Sequence, residues 1–452
     1  MKVTIIGTGY VGLTTGVALA YTGHEVIAVD KDQTKLAMLL AGKSPIHELG
    51  IEQLMSQVKT HLKFTDDLSS AIKGADLVLI AVGTPPKPNG EADLRFVEEV
   101  ACEIGNALEA GQTCTIAIKS TVPIGTNRRV GHLVERILGE RGVTANIRFA
   151  SNPEFLREGV ALQDTFYPDR IVVGSDQPEA VDVLSRVYRP ILEQTFNPPG
   201  FLPRPDNCSF PHLVTTDLTS AEMTKYAANC FLALKISYIN EIAGLCEKVG
   251  ADVTEVARGI GLDARIGHRF LEAGMGWGGS CFPKDTAALV AVASDYGYTM
   301  PIISAAREVN YRQRQFIVDK LQHSLKVLRG RVIGVLGLAF KPNTDDIRDS
   351  AAIEVIKILV ERGAHIKAHD PVAADNARRE LEGYDVDFVN DPYDAASNAD
   401  ALVLATEWDE YLSLDLDRLG KSMKRKVLVD GRNLYSPDDV HDAGFIYAGI
   451  GR

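Results

Sequence analysis

Cys281 lies in the run Gly276-Trp277-Gly278-Gly279-Ser280-Cys281-Phe282-Pro283-Lys284-Asp285, between a glycine-rich turn and a helical pattern. Glycine has no Cβ and lets backbone pass close to a ligand. Pro283 suits a first helical position, where its missing N–H costs nothing. Ala287 to Ala293 continue the helix as an apolar run, and Gly297 can end it. Cys281 is therefore expected just outside a helix N-terminus, with Lys284 beside it. Both surroundings favour the nucleophilic thiolate. An inert cysteine beside a tight turn would carry the same letters, so the rest of the chain must decide.

Other residues have suggestive spacing. Lys225 and Asn229 are four apart in a long helical pattern and share one face. Taken alone, they read as a solvated lysine beside an amide. Glu154 and Glu158 repeat the spacing with like charges, either exposed or holding a proton for catalysis. Asp285, four after Cys281, is within reach of the same site and is also a suitable first-turn acid for the helix dipole. Together these groups fit one chemistry. A thiolate adds to an aldehyde, hydride leaves to a nicotinamide, and water cleaves the thioester. An ammonium and an amide stabilise the oxyanion, and a carboxylate activates the water.

That chemistry needs a dinucleotide site, and the N-terminus offers one. Residues 3–6 read as an apolar strand, followed by Gly7-Thr8-Gly9-Tyr10-Val11-Gly12 and a helical run from Leu13 to Thr22. A second strand pattern runs from His24 to Asp30. Strand, G-x-G-x-x-G, helix, strand and acid in this order form a dinucleotide-binding pattern. Gly7 makes the turn, Gly9 admits the pyrophosphate, and Gly12 lets helix and strand pack closely. Asp30 favours NAD over NADP, because a 2′-phosphate would face its carboxylate; the neighbouring Lys31 weakens that contrast.

Further apolar strands are expected at 75–82, 115–119 and 146–150, leading into the loops 83–86, 120–123 and 151–154. The second half echoes the first. Residues 331–338, 363–370 and 399–405 parallel the first strand and turn, the second strand, and the strand at 75–81. The second copy lacks the full glycine pattern, so it reads as a domain binding something other than a second dinucleotide. Five prolines in 197–211 predict an irregular loop. Long helices are predicted at 217–250 and 302–326, a helical middle of the kind that often forms dimer interfaces. The expected fold is α/β: two Rossmann-like doubly wound parallel-sheet domains joined by a helical central domain. The expected boundaries are 1–206 for the NAD-binding domain, 207–325 for the central domain carrying Cys281, and 326–452 for the C-terminal domain.

A net charge of −12 over 452 residues argues against nucleic-acid binding as the main task. Six cysteines without a CxxC pair, and no His/Cys cluster of zinc-ligand spacing, predict no metal site. They also point to a reducing, cytoplasmic setting. The N-terminus enters a strand directly rather than a signal peptide. No apolar run reaches the ~18 residues that a membrane span needs.

The chain resembles the UDP-glucose/GDP-mannose dehydrogenase family over almost its whole length. The resemblance rests on the segments 7–13, 82–85, 120–123, 152–159, 221–229, 276–285, 338–342 and 430–433. It implies oxidation of the C6 alcohol of UDP-glucose to a carboxylate, with two NAD reduced per turnover. By this resemblance Cys281 is the nucleophile, and Lys225 and Asn229 stabilise oxyanions. Asp285 and Thr121 hold the water, Glu154 takes part in proton transfer, and Glu158 belongs to the same cluster. NAD contacts are implied for Gly7, Gly9, Tyr10, Val11, Gly12, Asp30, Lys35, Thr84, Thr121, Lys284 and Arg348. Sugar-nucleotide contacts are implied for Glu154, Phe155, Leu156, Lys225, Asn229, Phe270, Leu271, Gly278, Phe282, Lys341 and Arg432. Arg265 would reach the substrate from the partner of a homodimer. Two alternatives share these residues: the same chemistry on a UDP-N-acetyl sugar or GDP-mannose, and a non-catalytic nucleotide-sugar-binding protein. The proline-rich loop is longer than the family usually has.

Overall fold

The computed structural model describes residues 1–206 and 208–452. Asn207, inside the proline-rich stretch expected at 197–211, lies outside the described residues. The chain divides into two compact units, Met1–Ala227 and Ala228–Arg452. The division falls within one helix, Leu218–Val249.

The first unit is built on eight strands: β1 (Lys2–Ile6), β2 (Glu25–Val29), β3 (Leu62–Thr65), β4 (Leu77–Ile80), β5 (Thr113–Ile118), β6 (Asn146–Ser151), β7 (Arg170–Gly174) and β8 (His212–Thr216). Their order is β3-β2-β1-β4-β5-β6-β7-β8. All neighbours are parallel except β6 and β7, which pair antiparallel at Ser151 and Gly174. Parallel strands need crossovers, and helices supply them on both faces. The strand β4 shows the result. Leu77 and Leu79 feed one apolar core, and Val78 and Ile80 feed the other. A strand buried on both faces reads as an unbroken apolar run, which is why 75–82 was legible as a strand.

Strand order reverses between β1 and β4, and ligands in such sheets bind beyond the carboxyl ends of the strands at that point. The glycine turn follows β1 there. The helix expected from Leu13 begins earlier, at Tyr10, because the turn passes directly into it with Gly9 as its N-cap.

The second unit opens with helices at 228–249, Val253–Gly261, Phe282–Asp295 and Pro301–Leu325. It then forms a six-stranded sheet from β9 (Val332–Leu336), β10 (His365–His369), β11 (Val386–Phe388), β12 (Ala401–Leu404), β13 (Val427–Asp430) and β14 (Ile446–Ala448). The order is β11-β10-β9-β12-β13-β14, parallel throughout. The order repeats that of the first six strands of the first unit. One core joins Ile317, Val318 and Leu321 of the helix Pro301–Leu325 to β9, β12 and β13.

Candidate active site

The glycine turn of the first unit is constrained atom by atom. A Cβ on Gly12 would lie 1.9 Å from the Gly7 carbonyl oxygen, and one on Gly7 (φ 98°) would lie 2.6 Å from the Ala81 oxygen. A Cβ on Gly9 would meet nothing within 4 Å. Two glycines are thus required by packing, while the third borders open space at the N-terminus of the helix Tyr10–Tyr21. No side chain caps that N-terminus among the described residues. Its N–H groups, shared with Val11 and Gly12 in the first turn, suit a pyrophosphate. Tyr10 itself donates its hydroxyl to the His47 carbonyl, 3.1 Å away.

Asp30 follows β2. Its Oδ2 accepts from the Thr8 N–H at 2.9 Å and the Thr8 hydroxyl at 2.6 Å, and its Oδ1 accepts from the Asp32 N–H. Burial raises the Asp30 carboxyl, but these bonds and the Lys35 charge outweigh it and hold the group below its ordinary value. The acid is therefore a fixed carboxylate bonded to the glycine turn. Across the switch point the Thr84 hydroxyl donates to the Thr121 carbonyl at 2.8 Å.

Beyond β6 the chain is an irregular loop, so the spacing of Glu154 and Glu158 has no helical meaning. Glu154 is buried there, and the Lys225 ammonium donates to it at 2.8 Å. Burial raises the Glu154 carboxyl. The Lys225 charge and hydrogen bond, the Leu156 N–H and Lys119 together bring it below its usual value. Phe155 lies against Lys225, whose Nζ is 5.3 Å from the ring centroid, and under the Arg170 guanidinium at 3.8 Å. The Leu156 N–H bond to Glu154 shapes the same turn. Glu158 is half-buried farther along the loop.

In the second unit Cys281 is the N-cap of the helix Phe282–Asp295, and Pro283 falls in its first turn. Its Sγ lies 3.5 Å from the Ser280 hydroxyl. Asp285, one turn on, is fully buried; it accepts from the Asn229 amide at 2.6 Å and pairs with the Lys284 ammonium. The sequence placed Lys284 beside the thiol; the structure shows its ammonium held by Asp285. Two other cysteines are inert by environment. Burial pushes both Cys114 and Cys230 up to about 12, with nearby Asp76 and Asp285 adding to the effect.

The cysteine turn is held from three sides. The Asn310 side chain accepts from the Trp277 N–H at 2.7 Å and donates to the Trp277 carbonyl at 3.0 Å. The Trp277 indole donates to the Ser237 hydroxyl at 2.9 Å. A Cβ on Gly278 would lie 2.2 Å from the Asp349 oxygen, and the Gly279 N–H donates to the Arg348 carbonyl at 2.8 Å. Phe282 packs edge-on to Trp277 and tilted against Phe270, with Leu271 buried next in the chain. Phe270 itself is held at φ 67°, a left-handed conformation that bulky residues rarely adopt. Strain of this kind persists where surrounding structure enforces it.

The second sheet comes to the same turn. The Arg432 guanidinium donates to the carbonyls of Ala405 and Phe340, and Phe340, next to Lys341, contacts Gly278 and Gly279. Arg348 pairs with Asp346 at 2.6 Å. Arg265 stands apart on the surface, bonded to Asp263. Asp370 follows β10 as Asp30 follows β2, yet all its capacity is spent locally. Leu338, Ala339, Val372 and Ala373 donate backbone N–H groups to it, and Trp408 donates its indole. These five donors occupy both of its oxygens.

Family models for the UDP-glucose/GDP-mannose dehydrogenase NAD binding, central and UDP binding domains match residues 1–192, 219–312 and 334–437. The UDP-glucose 6-dehydrogenase of Rhizobium meliloti is 48% identical over the full length of both chains. The chain belongs to the UDP-glucose/GDP-mannose dehydrogenase family. It is an NAD-dependent oxidoreductase, as the resemblance implied. A UDP-glucose dehydrogenase structure from Pyrobaculum islandicum superposes with a TM-score of 0.88 at 39% identity, covering 99% of this chain and 97% of that one. A UDP-D-ManNAc dehydrogenase structure from Pyrococcus horikoshii gives 0.85 at 27% identity, covering 100% and 99%. The glycine cradle, the open helix N-terminus and the fixed Asp30 fit the family's NAD. The second sheet is the family's UDP binding domain. No described helix is long and apolar enough to cross a membrane, and no metal-binding group of His, Cys, Asp and Glu occurs among the described residues.

Sequence reasoning missed Lys119 and Asn310. Lys119 is buried beside the Glu154 loop, although a lysine at a strand end reads as solvated. Asn310 is buried within a long polar-rich helix and is visible only through its bonds to Trp277.

Proposed function

We propose that this enzyme oxidises UDP-glucose to UDP-glucuronate, using one water and two NAD per sugar, with Cys281 as the covalent nucleophile. The observation carrying this reading is Cys281 at a helix N-terminus with buried Asp285 one turn on, bonded to Asn229 and Lys284. The 48% identity to a UDP-glucose 6-dehydrogenase supports the substrate. NAD, when bound, takes up the hydride of each oxidation.

The C6 alcohol first loses a proton and a hydride to become an aldehyde. The Cys281 thiolate forms a C–S bond to that carbon, and the oxygen takes a proton to give a thiohemiacetal. Loss of a second proton and hydride leaves a thioester. Water adds, the C–S bond breaks, sulfur leaves as thiolate, and the sugar carboxylate is released. Lys225 and Asn229 stabilise the oxyanions, as a preorganised ammonium and amide can. Asp285 and Thr121 hold the water, and Glu154, an ionised buried carboxylate with Glu158 nearby, takes its proton. Gly7, Gly9, Tyr10, Val11, Gly12, Asp30, Lys35, Thr84, Lys284 and Arg348 contact the cofactor. Phe155, Leu156, Phe270, Leu271, Gly278, Phe282, Lys341 and Arg432 contact the sugar nucleotide.

The three-part division at 206/207 and 325/326 is supported by the three family models. A homodimer, with Arg265 serving the partner's site, is supported by Phe231, Tyr238 and Leu245. These exposed apolar residues recur every seven positions on the helix Leu218–Val249. Six cysteines without a CxxC pair support a reducing, cytoplasmic setting.

Turnover of UDP-glucose, UDP-N-acetylglucosamine, UDP-N-acetylmannosamine and GDP-mannose tests the substrate. UDP-glucose is expected to have the highest kcat/KM. The likeness to a UDP-D-ManNAc dehydrogenase favours one second reading, the same chemistry on a UDP-N-acetyl sugar; a higher kcat/KM for such a sugar would establish it.

A further inference from the structure

Lys119 is a buried cation that the chemistry above does not use. It follows β5 directly, two residues before Thr121, and its side chain is buried in the first unit. Its Nζ donates to the Asn152 side-chain oxygen at 3.2 Å and lies 3.4 Å from the Tyr188 hydroxyl. The Tyr188 hydroxyl donates to the same Asn152 oxygen at 2.6 Å, and the Lys119 ammonium lies 5.6 Å from the Tyr188 ring centroid. Asn152 is anchored from its other end, donating to the Val172 carbonyl at 2.9 Å. Asn152 opens the Asn152-Pro153-Glu154 turn. Lys119 therefore holds the start of the loop that carries Glu154.

A buried ammonium is costly unless a counter-charge faces it. The charges that face Lys119 are Glu154, which favours its protonated form, and Lys225, which opposes it; Tyr188 stays a neutral phenol because burial pushes its hydroxyl well up. Arg170, stacked on Phe155, also feels the Glu154 charge. Burial brings the Lys119 ammonium down to about 8, so it is charged at neutral pH. Two cations thus share one carboxylate. If Lys225 spends its charge on a substrate oxyanion, Glu154 loses the partner that keeps it ionised. A second buried cation would keep it so.

We propose that Lys119 is a positioning residue for Glu154, fixing its loop through Asn152 and Tyr188 and holding its carboxylate ionised while Lys225 serves the substrate. The inference rests on the reading of Glu154 as the group that takes the proton of water.

The test is the pH profile of kcat and KM for UDP-glucose in wild type, Lys119→Met, Lys119→Arg and Glu154→Gln. Loss of the nearby charge is expected to move the acid limb of kcat up by about one unit or more in Lys119→Met. KM should stay within about twofold, since no substrate contact is lost. Lys119→Arg keeps the charge and should restore the wild-type limb. A Lys119→Met profile that overlays wild type, while Glu154→Gln has lost turnover, overturns the inference and leaves the Glu154 reading standing. A Glu154→Gln enzyme with full turnover removes that reading and the inference with it. If Lys119→Met yields no folded protein, Lys119→Arg decides: a displaced acid limb despite the retained charge overturns the proposal.

Discussion

Replacing Lys225 by Met should leave the Glu154 carboxylate buried without the cation that donates to it. The side chains of the pair are 4% and 6% exposed and 2.8 Å apart, so solvent cannot take over the lost interaction. Removing one partner of a buried ion pair costs about 3–5 kcal/mol. Lys119 still faces Glu154, so the lower end, about 3 kcal/mol, is expected. The cost must depend on pH. In wild type Glu154 sits below its ordinary value, so its contribution to stability is present above the unfolded value and is lost as pH falls through the folded one. Without Lys225, burial is opposed less and the folded value rises. Glu154 then binds a proton more tightly folded than unfolded, and Lys225→Met is destabilised most at neutral pH and recovers as pH falls toward 5. Urea unfolding of wild type, Lys225→Met, Glu154→Gln and the double variant at pH 5, 6, 7 and 8 measures this. The double variant should be more stable than Lys225→Met at pH 7, because the orphaned charge is gone. Additive losses, or a Lys225→Met penalty that does not change with pH, would refute the reasoning.

Two further outcomes follow from the glycine turn and the acid after β2. Gly12→Ala places a Cβ 1.9 Å from the Gly7 oxygen, so the helix Tyr10–Tyr21 must shift away from β1. Calorimetric NAD affinity should fall by about fivefold or more, as overpacking of this kind costs roughly 1–3 kcal/mol; unchanged affinity would show that the turn does not set the phosphate site. Asp30→Ser removes the carboxylate that would face a 2′-phosphate. The ratio of kcat/KM for NAD to that for NADP should fall by about tenfold or more, in line with a charged contact of roughly 1.5–3 kcal/mol.

The first half of the fold is legible because sterics leave its letters little freedom. Gly7 and Gly12 face backbone at distances no Cβ can tolerate, and β4 must be apolar on both faces. The same physics makes β8 hard to see. Its residues His212–Thr216 lie at the sheet edge, mostly exposed, so no apolar run marks them. Asp30 and Asp370 show a second limit. Both directly follow the second strand of a doubly wound sheet, but donors occupy Asp370 completely and Asp30 only partly. The difference lies in loop geometry, which single letters do not encode. Glu154 and Glu158 read as a helical pair by spacing, whereas Pro153 and the Leu156 bond to Glu154 set an irregular loop. Lys119 was illegible for the opposite reason: its partners Asn152 and Tyr188 lie 33 and 69 positions away.

The covalent role of Cys281 is the central claim, and one measurement addresses it: NADH formed per UDP-glucose consumed, with mass spectrometry of the Cys281 peptide in acid-quenched reactions. Wild type is expected to give two NADH per sugar and a peptide carrying the sugar-nucleotide acyl group. Cys281→Ser should give no adduct and no acid at a comparable rate. Two NADH per sugar at the wild-type rate from Cys281→Ser would contradict the account.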